Sequence, residues 1–207
     1  MNTTNNSQLM SGNDHPLCID LHSLYQSEPT IDKLFAETPG LLEELRRRLN
    51  PSSGGGEFLL ISSTMYQGKT TIAKLVLDHI FADQSNDDPV PLLHIGLQEY
   101  LMPEGISPHV EDDFQTWLDK NEWPTEQFIV IEDVRTPEMA SKALKFAKAG
   151  ANVIAVLHAV SANQAILRLR ALVNAFGSGD ELNDILKSGQ LMSLHNEFDP
   201  GVTSPQP

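Results

Sequence analysis

The stretch EFLLISSTMYQGKTTIAKLVLDHIFA, residues 57–82, decides the fold class of this chain. It opens with an apolar run bounded by turn-forming residues, which predicts a buried strand over 57–62. It ends with apolar residues at helical spacing, which predicts a helix over 70–82. Between them lies SSTMYQGKTT, residues 62–71, whose second half is typical of a phosphate-binding loop between a strand and a helix.

The phosphate-binding pattern G-x-x-x-x-G-K-[ST] fits this window imperfectly, because Ser63 replaces its first glycine and the bulky Tyr66 lies at its tip. Lys69 matches the lysine that reaches the β- and γ-phosphates, and Thr70 matches the hydroxyl that binds Mg²⁺. Backbone N–H groups at the start of the helix would hold further phosphate oxygens. The alternative is a helix that begins Gly-Lys-Thr by chance. The candidate binding residues are Ser63, Thr64, Met65, Tyr66, Gln67, Gly68, Lys69, Thr70 and Thr71.

Strands and helices alternate along the rest of the chain, which predicts a mostly parallel sheet with helices on both faces. Apolar runs predict further strands at 90–95, 128–133 and 152–157, and a fifth near 190–194. Three further helices are predicted to begin after the capping residues Thr38, Thr136 and Ser161. The fold class is therefore α/β.

The composition along the chain predicts four regions. Residues 1–14 are rich in Asn, Ser and Thr and are expected to be disordered, as is the tail 199–207. Residues 15–56 form a helical N-terminal region that ends in a flexible Gly/Ser joint over 52–56. Residues 57–198 form the α/β domain.

The overall charge and the cysteine content exclude several classes of protein. The formal net charge of −14 argues against direct nucleic-acid binding, which needs a basic face. The single cysteine excludes an internal disulfide. The N-terminus has no secretory-signal pattern and no apolar run is long enough to span a membrane, so we expect a soluble, cytoplasmic protein without a transmembrane segment.

A run of about forty residues from Ile131 to Leu169 resembles the ATPases of type II secretion, type IV pili and conjugative type IV secretion. Asp133 and Arg135 match the Glu and Arg of that family's Gly-Glu-x-Arg-Asp block. His158 matches the histidine of its Thr-Leu-His box. The remaining matches, in order and without a gap, are Glu138, Gly150, Leu157, Ala165, Ile166, Arg168 and Leu169.

This resemblance implies a RecA-like P-loop NTPase domain that binds ATP and Mg²⁺. It implies catalytic roles for Lys69, Asp133 or its neighbour Glu132, and His158, and Mg²⁺ ligands at Thr70 and Asp133. The alternatives are that the paired acids are merely solvated and that the histidine is a packed polar residue. The resemblance further implies a homo- or hetero-oligomeric ring, hexameric in the family, that serves secretion or pilus machinery and lies peripheral to the inner membrane.

The family's acidic box, of the type Ile-Glu-Asp-Pro-x-Glu, has its best counterpart at residues 94–99. Only Glu99 is kept there, and Ile95 and Gly96 fill the acidic positions. Because isoleucine cannot accept a proton, it cannot act as the general base.

Arginine is absent from residues 51–134, where the family has the arginines that reach a neighbouring subunit's nucleotide. Lys74 and Lys120 are the only cationic side chains between the phosphate loop and residue 134. We therefore interpret the chain as a divergent, truncated member of this family: an ATP-binding component of a pilus, conjugation or secretion machine with weak hydrolysis. The alternative is a catalytically impaired paralogue that acts as a non-enzymatic partner or regulator in a mixed ring. A nucleoside kinase is a third, disfavoured reading.

Overall fold

Seven parallel strands form the centre of the computed structural model, which describes residues 17–23, 30–36, 38–50, 55–64, 68–84, 87–96, 100, 102–111, 114–119 and 127–198. The strands are β1 (Leu17–Ser23), β2 (Phe58–Ser63), β3 (Val90–Ile95), β4 (Ile106–Glu111), β5 (Phe128–Ile131), β6 (Asn152–His158) and β7 (Leu191–Phe198). Their order in the sheet is β1-β7-β2-β6-β5-β3-β4, and every neighbouring pair is parallel. The predicted disordered segments 1–14 and 199–207 lie outside the described residues.

Seven helices in the described part of the chain cover the two faces of the sheet. They are α1 (Ile31–Leu34), α2 (Pro39–Arg48), α3 (Lys69–Ile80), α4 (Phe114–Asp119), α5 (Pro137–Lys148), α6 (Ala162–Ala175) and α7 (Gly179–Lys187). A hydrophobic core lies on each face of the sheet. Alternate residues of β2 belong to the two cores, because successive strand side chains point to opposite faces. Leu59 and Ile61 pack with α1–α3, whereas Phe58 and Leu60 pack with α4–α7. The predicted α/β class is confirmed, with a sheet that is parallel throughout its described pairs.

The two edge strands, β1 and β4, are absent from the sequence-based prediction. Segment 15–56 was predicted to be helical, and it contributes β1 as well as α1 and α2. In β4 the four central residues are exposed, and the strand contains Pro108. Edge strands need no continuous apolar run, so the pattern that reveals buried strands misses them. The five predicted strands, which lie in the interior of the sheet, are all present.

Two of the three predicted helix caps form. The side chains of Thr136 and Ser161 accept hydrogen bonds from the backbone N–H groups of Met139 and Gln164. Thr38 makes no side-chain cap bond, because its ψ of 55° departs from the extended backbone that aims a capping hydroxyl at the helix.

The described part of the predicted Gly/Ser joint, Gly55 and Gly56, is closely packed, whereas the flexibility of the joint as a whole stays a prediction. Gly55 has a φ of +74°, and a Cβ atom added to it would lie 1.8 Å from the carbonyl oxygen of Gly150. The chain therefore crosses the turn between α5 and β6 at backbone contact distance. The glycines allow this close approach, because they have no Cβ atom. Ser52 to Gly54 lie outside the described residues.

Helix α2 is attached to the sheet by an ion pair, and we expect Arg48→Ala to lower the free energy of unfolding by about 2 kcal/mol. Arg48 donates to the carboxylate of Glu57 and, at 2.5 Å, to the carbonyl oxygen of Gly189. The two charged side chains are only 11% and 20% exposed, so removal of one leaves a poorly solvated partner. Urea unfolding measures the loss. Arg47→Ala is the matched control: its pair with Glu44 is exposed and should change stability by about 0.5 kcal/mol or less.

Candidate functional site

The ends of three adjacent strands bring the predicted site residues together. Strands β2, β6 and β5 are neighbours and run in the same direction, so their carboxyl ends meet at one edge of the sheet. Lys69 follows β2 as the first residue of α3, His158 ends β6, and Asp133 follows β5. Ser63 lies in register with His158. Residues far apart in sequence thereby form one cluster beside the start of a helix.

The Lys69 ammonium lies inside this cluster. Its Nζ donates to the carbonyl oxygen of Thr64 at 3.3 Å and lies 3.0 Å from Nδ1 of His158. Burial lowers the pKa of Lys69, and the carboxylates of Asp133 and Glu132 oppose that shift. A partly desolvated cation gains more than an exposed one from a bound anion, because its hydration has already been reduced.

His158 has its tautomer set by Lys69. An ammonium group only donates, so Nδ1 of His158 accepts and Nε2 carries the proton of the neutral ring. Nε2 lies 3.8 Å from Oδ1 of Asp133. On its other side the residue is held by Arg168, whose guanidinium donates to the His158 carbonyl oxygen at 2.7 Å. The ring therefore lies between the lysine and the aspartate.

Asp133 is the one non-glycine residue with a positive φ in the described part of the chain, at 59°. Left-handed backbone costs about 1 kcal/mol for most residues, and strain of this kind is concentrated at functional sites. One carboxylate oxygen, Oδ2, accepts from Nε of Arg135 at 2.6 Å. The other, Oδ1, is buried and has no hydrogen-bond partner among the described residues. This second oxygen is available to a metal ion or a metal-bound water.

The phosphate loop itself is described only at its two ends. Met65, Tyr66 and Gln67 lie outside the described residues, so their predicted role stays a prediction. Ser63 does not have a positive φ, so the serine that replaces the pattern's first glycine carries no left-handed strain. It is fully buried and its hydroxyl donates to the carbonyl oxygen of Thr64 at 2.9 Å.

The beginning of α3 is shaped by Gly68. Gly68 adopts the left-handed conformation, with φ 75° and ψ 26°, as the N-cap, and Lys69, Thr70 and Thr71 form the first turn. The N-cap is a glycine, so it offers no side chain to the first N–H groups of the helix.

A magnesium ion fits these residues if phosphate and water complete its coordination. The described residues contain no group of three or more His, Cys, Asp or Glu side chains that could hold a metal ion alone. Mg²⁺ binds through one or two protein ligands plus substrate phosphates and waters. Thr70 in the first turn of α3 and the buried Oδ1 of Asp133 supply oxygen ligands of that kind.

The counterpart of the acidic box, residues 94–99, has no room for an acidic side chain at Gly96, its second acidic position. Ile95 is fully buried at the end of β3. A Cβ atom added to Gly96 would lie 2.9 Å from Cβ of Glu132, so any side chain there displaces the glutamate. Glu99 and Lys120 lie outside the described residues.

Two residues near Glu132 were missed by the sequence analysis. Nε2 of His94 lies 3.6 Å from Oε1 of Glu132, and the Tyr100 hydroxyl donates to the same oxygen at 3.5 Å. Burial and the Glu132 carboxylate raise the pKa of Tyr100 above its ordinary value, so the hydroxyl remains a donor at neutral pH. For His94 the sequence did offer a signal, because a histidine is unusual inside an apolar strand such as VPLLHI.

The comparisons with known proteins agree with this geometry at the level of the fold. The sequence matches no family model and no curated protein sequence. Solved structures do match it. They include the VirB11 ATPase of the Brucella suis type IV secretion system in complex with sulphate, at 19% identity and a TM-score of 0.54 over 79% of this chain and 48% of that one. They also include the Legionella pneumophila ATPase DotB, at 16% identity and a TM-score of 0.54 over 83% of this chain and 44% of that one.

A third structure is the pilus retraction motor PilT with bound ADP, at 20% identity and a TM-score of 0.58 over 83% of this chain and 48% of that one. This chain has the fold of the secretion and pilus ATPases. The predicted resemblance and the P-loop α/β architecture are thereby confirmed as statements about fold. The chain spans less than half the length of each of these three structures.

Within the described residues, no helix has the length and apolar character needed to cross a membrane.

We expect the stability of the folded chain to fall in mild acid, in part through His158. Burial and the Lys69 ammonium lower the pKa of His158 below 6.5. A group with a depressed folded pKa binds more protons when unfolded, so its contribution is full above the unfolded pKa and is lost as the pH falls through the folded pKa. Urea unfolding at about pH 7 and about pH 5 should show a smaller acid loss in His158→Asn than in the parent. His79, whose pKa is also lowered by burial, leaves a residual loss in both. Equal losses in the two proteins would contradict the prediction.

Proposed function

We propose that this chain binds Mg²⁺-ATP at the cluster formed by Lys69, His158 and Asp133, and hydrolyses it slowly as a component of a type IV pilus, conjugation or secretion machine. The observation that carries this proposal is the half-buried Lys69 ammonium at an uncapped helix N-terminus, 3.0 Å from His158 and close to Asp133. A cation, the N–H groups of a helix start and a carboxylate oxygen together suit a nucleotide's phosphates and the metal that accompanies them.

The structural neighbours support the same ligand class. PilT was solved with ADP and VirB11 with sulphate, which is an anion similar in shape and charge to phosphate. Their likeness to this chain is one of fold, and the assignment of a ligand here depends on the residues at the sheet edge.

Each residue of the cluster has a distinct task in this proposal. Lys69 exchanges its contacts with Thr64 and His158 for the β- and γ-phosphate oxygens. Thr70 and Asp133 would hold the hydrated Mg²⁺. When bound, the ion would neutralise part of the phosphate charge. His158, released by the lysine, is left with Nδ1 free to meet a donor and Nε2–H directed to Asp133.

One observation favours a second candidate, the non-hydrolysing partner or regulator in a mixed ring. The buried Ile95 and the tightly packed Gly96 occupy the two acidic positions of the box, so no carboxylate reaches the site from β3. Residues 51–134 also contain no arginine to reach a neighbouring site. Under this reading a fuller ATPase subunit supplies the missing groups. Assembly into a ring and a position at the inner membrane belong to both candidates.

The two candidates differ in turnover. Calorimetric titration with Mg²⁺-ATP measures binding, and release of inorganic phosphate measures hydrolysis. Binding with slow release supports the first candidate, and binding with no release supports the second. Phosphate release that exceeds the sum of the two separate rates, when an active ATPase of this fold is added, supports the mixed ring. Absence of binding would overturn both.

A further inference from the structure

Helix α6 presents an apolar stripe to solvent. Val160, just before the helix, is 56% exposed, and Leu167 within it is 61% exposed. Gln164 and Ala171 are exposed as well and complete a line at the spacing of one helix face. A surface helix normally turns its apolar residues toward the core, and α6 already does so on its other side, where Leu169 is buried. The exposed stripe therefore serves no packing need within this chain.

The two arginines of α6 lack acidic partners. The helix sequence ANQAILRLRALVNA contains no acid, and both Arg168 and Arg170 are exposed. Arg168 donates to a backbone carbonyl oxygen, and neither arginine forms an ion pair with another described residue. The remaining arginines of the chain each pair with a carboxylate: Arg46, Arg47, Arg48 and Arg135. In a chain with 28 acidic residues and 14 lysines and arginines, α6 is thus a local basic surface around an apolar stripe.

Strand β4, at one edge of the sheet, is uncovered. Parallel sheets normally have both faces covered, because the crossover helices lie on both sides. In β4, however, the four successive residues 107–110 are exposed, so both faces of the strand reach solvent. Val110 is 38% exposed, and in the described part of the chain the strand pairs with β3 alone. This end of the sheet lacks the layer that covers its interior.

The surface around β4 is opposite in charge to α6. Residues 104–113, EGISPHVEDD, contain four acidic residues and no lysine or arginine, and Glu104 is exposed. Helix α6 packs over β7, β2 and β1, toward the edge of the sheet that is opposite to β4. One chain therefore carries an apolar, basic surface toward one edge of the sheet and an apolar, acidic surface at the other.

We propose that the exposed stripe of α6 docks on β4 of a second copy of this chain, with the arginines of α6 against the acidic residues around β4. Because the two surfaces differ, the contact is heterologous: each added copy leaves one surface of each kind open, and copies associate head to tail. The inference deepens the assembly named in the proposed function and rests on it in that respect, but it requires no nucleotide. Since the charges are exposed, added salt weakens the contact.

Two variants block one surface each. Leu167→Glu places an acid on the α6 stripe, where it meets the acidic surroundings of β4, and Val110→Arg places a cation against the arginines of α6. We expect each change to weaken self-association about a hundredfold, because like charges are brought together at the contact. Sedimentation velocity should show the parent as oligomers that grow with concentration and each variant as a monomer. Arg47→Glu, which changes a 70%-exposed side chain on α2, is the control and should assemble like the parent.

Mixing the two variants is the decisive measurement. Each variant keeps one intact surface, so an equimolar mixture should form a dimer and nothing larger. A parent that stays monomeric at high concentration, a variant that assembles like the parent, or a mixture of folded variants without a dimer would overturn the inference. Circular dichroism checks the folding of each variant. Should one of them unfold, Arg170→Glu or Glu104→Arg blocks the same surface without changing its apolar residues.

Nucleotide binding is measured separately on the same proteins. Calorimetric titration with Mg²⁺-ATP should give equal affinity in the parent and in both variants, because neither substitution lies in the cluster of Lys69, His158 and Asp133. Absence of nucleotide binding in a parent that assembles would overturn the proposed phosphate site and leave this contact in place. Binding in a parent that stays monomeric would overturn the contact and leave the phosphate site in place.

Discussion

Replacing Lys69 with alanine is expected to weaken Mg²⁺-ATP binding about a hundredfold, which corresponds to about 2.7 kcal/mol. The ammonium is half-buried and its desolvation lowers its pKa, so its interaction with phosphate is less screened than that of a surface lysine. Charge-assisted hydrogen bonds contribute about 1.5–3 kcal/mol, and the alanine removes them without adding bulk. Calorimetric titration of the two proteins measures the difference directly.

The matched control for this experiment is Lys74→Ala in the same helix. Lys74 lies five residues after Lys69 in α3, is 38% exposed and forms an i,i+4 pair with Asp78, which is not part of the cluster. We expect its affinity to equal that of the parent. Phosphate release, where present, should disappear in Lys69→Ala and persist in Lys74→Ala. Equal affinity in the parent and Lys69→Ala would contradict the assignment of the phosphate site.

Replacing Gly55 with alanine is expected to lower the free energy of unfolding by about 3 kcal/mol. The new Cβ atom would lie 1.8 Å from the backbone carbonyl oxygen of Gly150, and neither atom can move away by a side-chain rotation. The φ of +74° adds a left-handed penalty of about 1 kcal/mol. Because Gly55 precedes β2 and Gly150 precedes β6, relief of the clash would shift the two strands that present Lys69 and His158.

Gly189→Ala separates the two causes of this loss. Gly189 has a φ of +71°, and a Cβ atom added to it would meet none of the described atoms within 4 Å beyond those of its chain neighbours. We expect it to lose only the backbone term, about 1 kcal/mol. Urea unfolding of both variants gives the comparison. If Gly55→Ala lowers the free energy of unfolding by no more than Gly189→Ala, the close contact between the backbones at Gly55 and Gly150 does not form in solution.

The interior of the sheet was predictable because buried parallel strands leave continuous apolar runs. FLLIS of β2 and NVIAVL of β6 are buried at every position, and such runs have few alternatives in a chain of mixed composition. The edge strands β1 and β4 lack this signal, and within the described residues each of them pairs with one strand. Their positions depend on pairing with β7 and β3, and Leu17 of β1 is in register with Met192, far along the chain.

The site was predicted in part. Lys69 and Thr70 follow from a local pattern, and Asp133 and His158 follow from a resemblance that extends over a continuous run. His94 and Tyr100 could not be placed in this way. Their relation to Glu132 spans more than thirty residues and arises from the register of β3 beside β5, for which no local pattern exists.

By itself, the sequence determined the class of the fold, and it predicted where a phosphate loop would lie and which groups could carry the chemistry. These depend on short-range periodicity and on residue type, which are properties of the chain alone. Only the tertiary structure decided which of those groups meet. The strand order β2-β6-β5-β3 brings Lys69 to His158, His158 to Asp133 and His94 to Glu132. Side-chain contacts across parallel strands depend on register and crossover, which long-range packing sets and local patterns do not record.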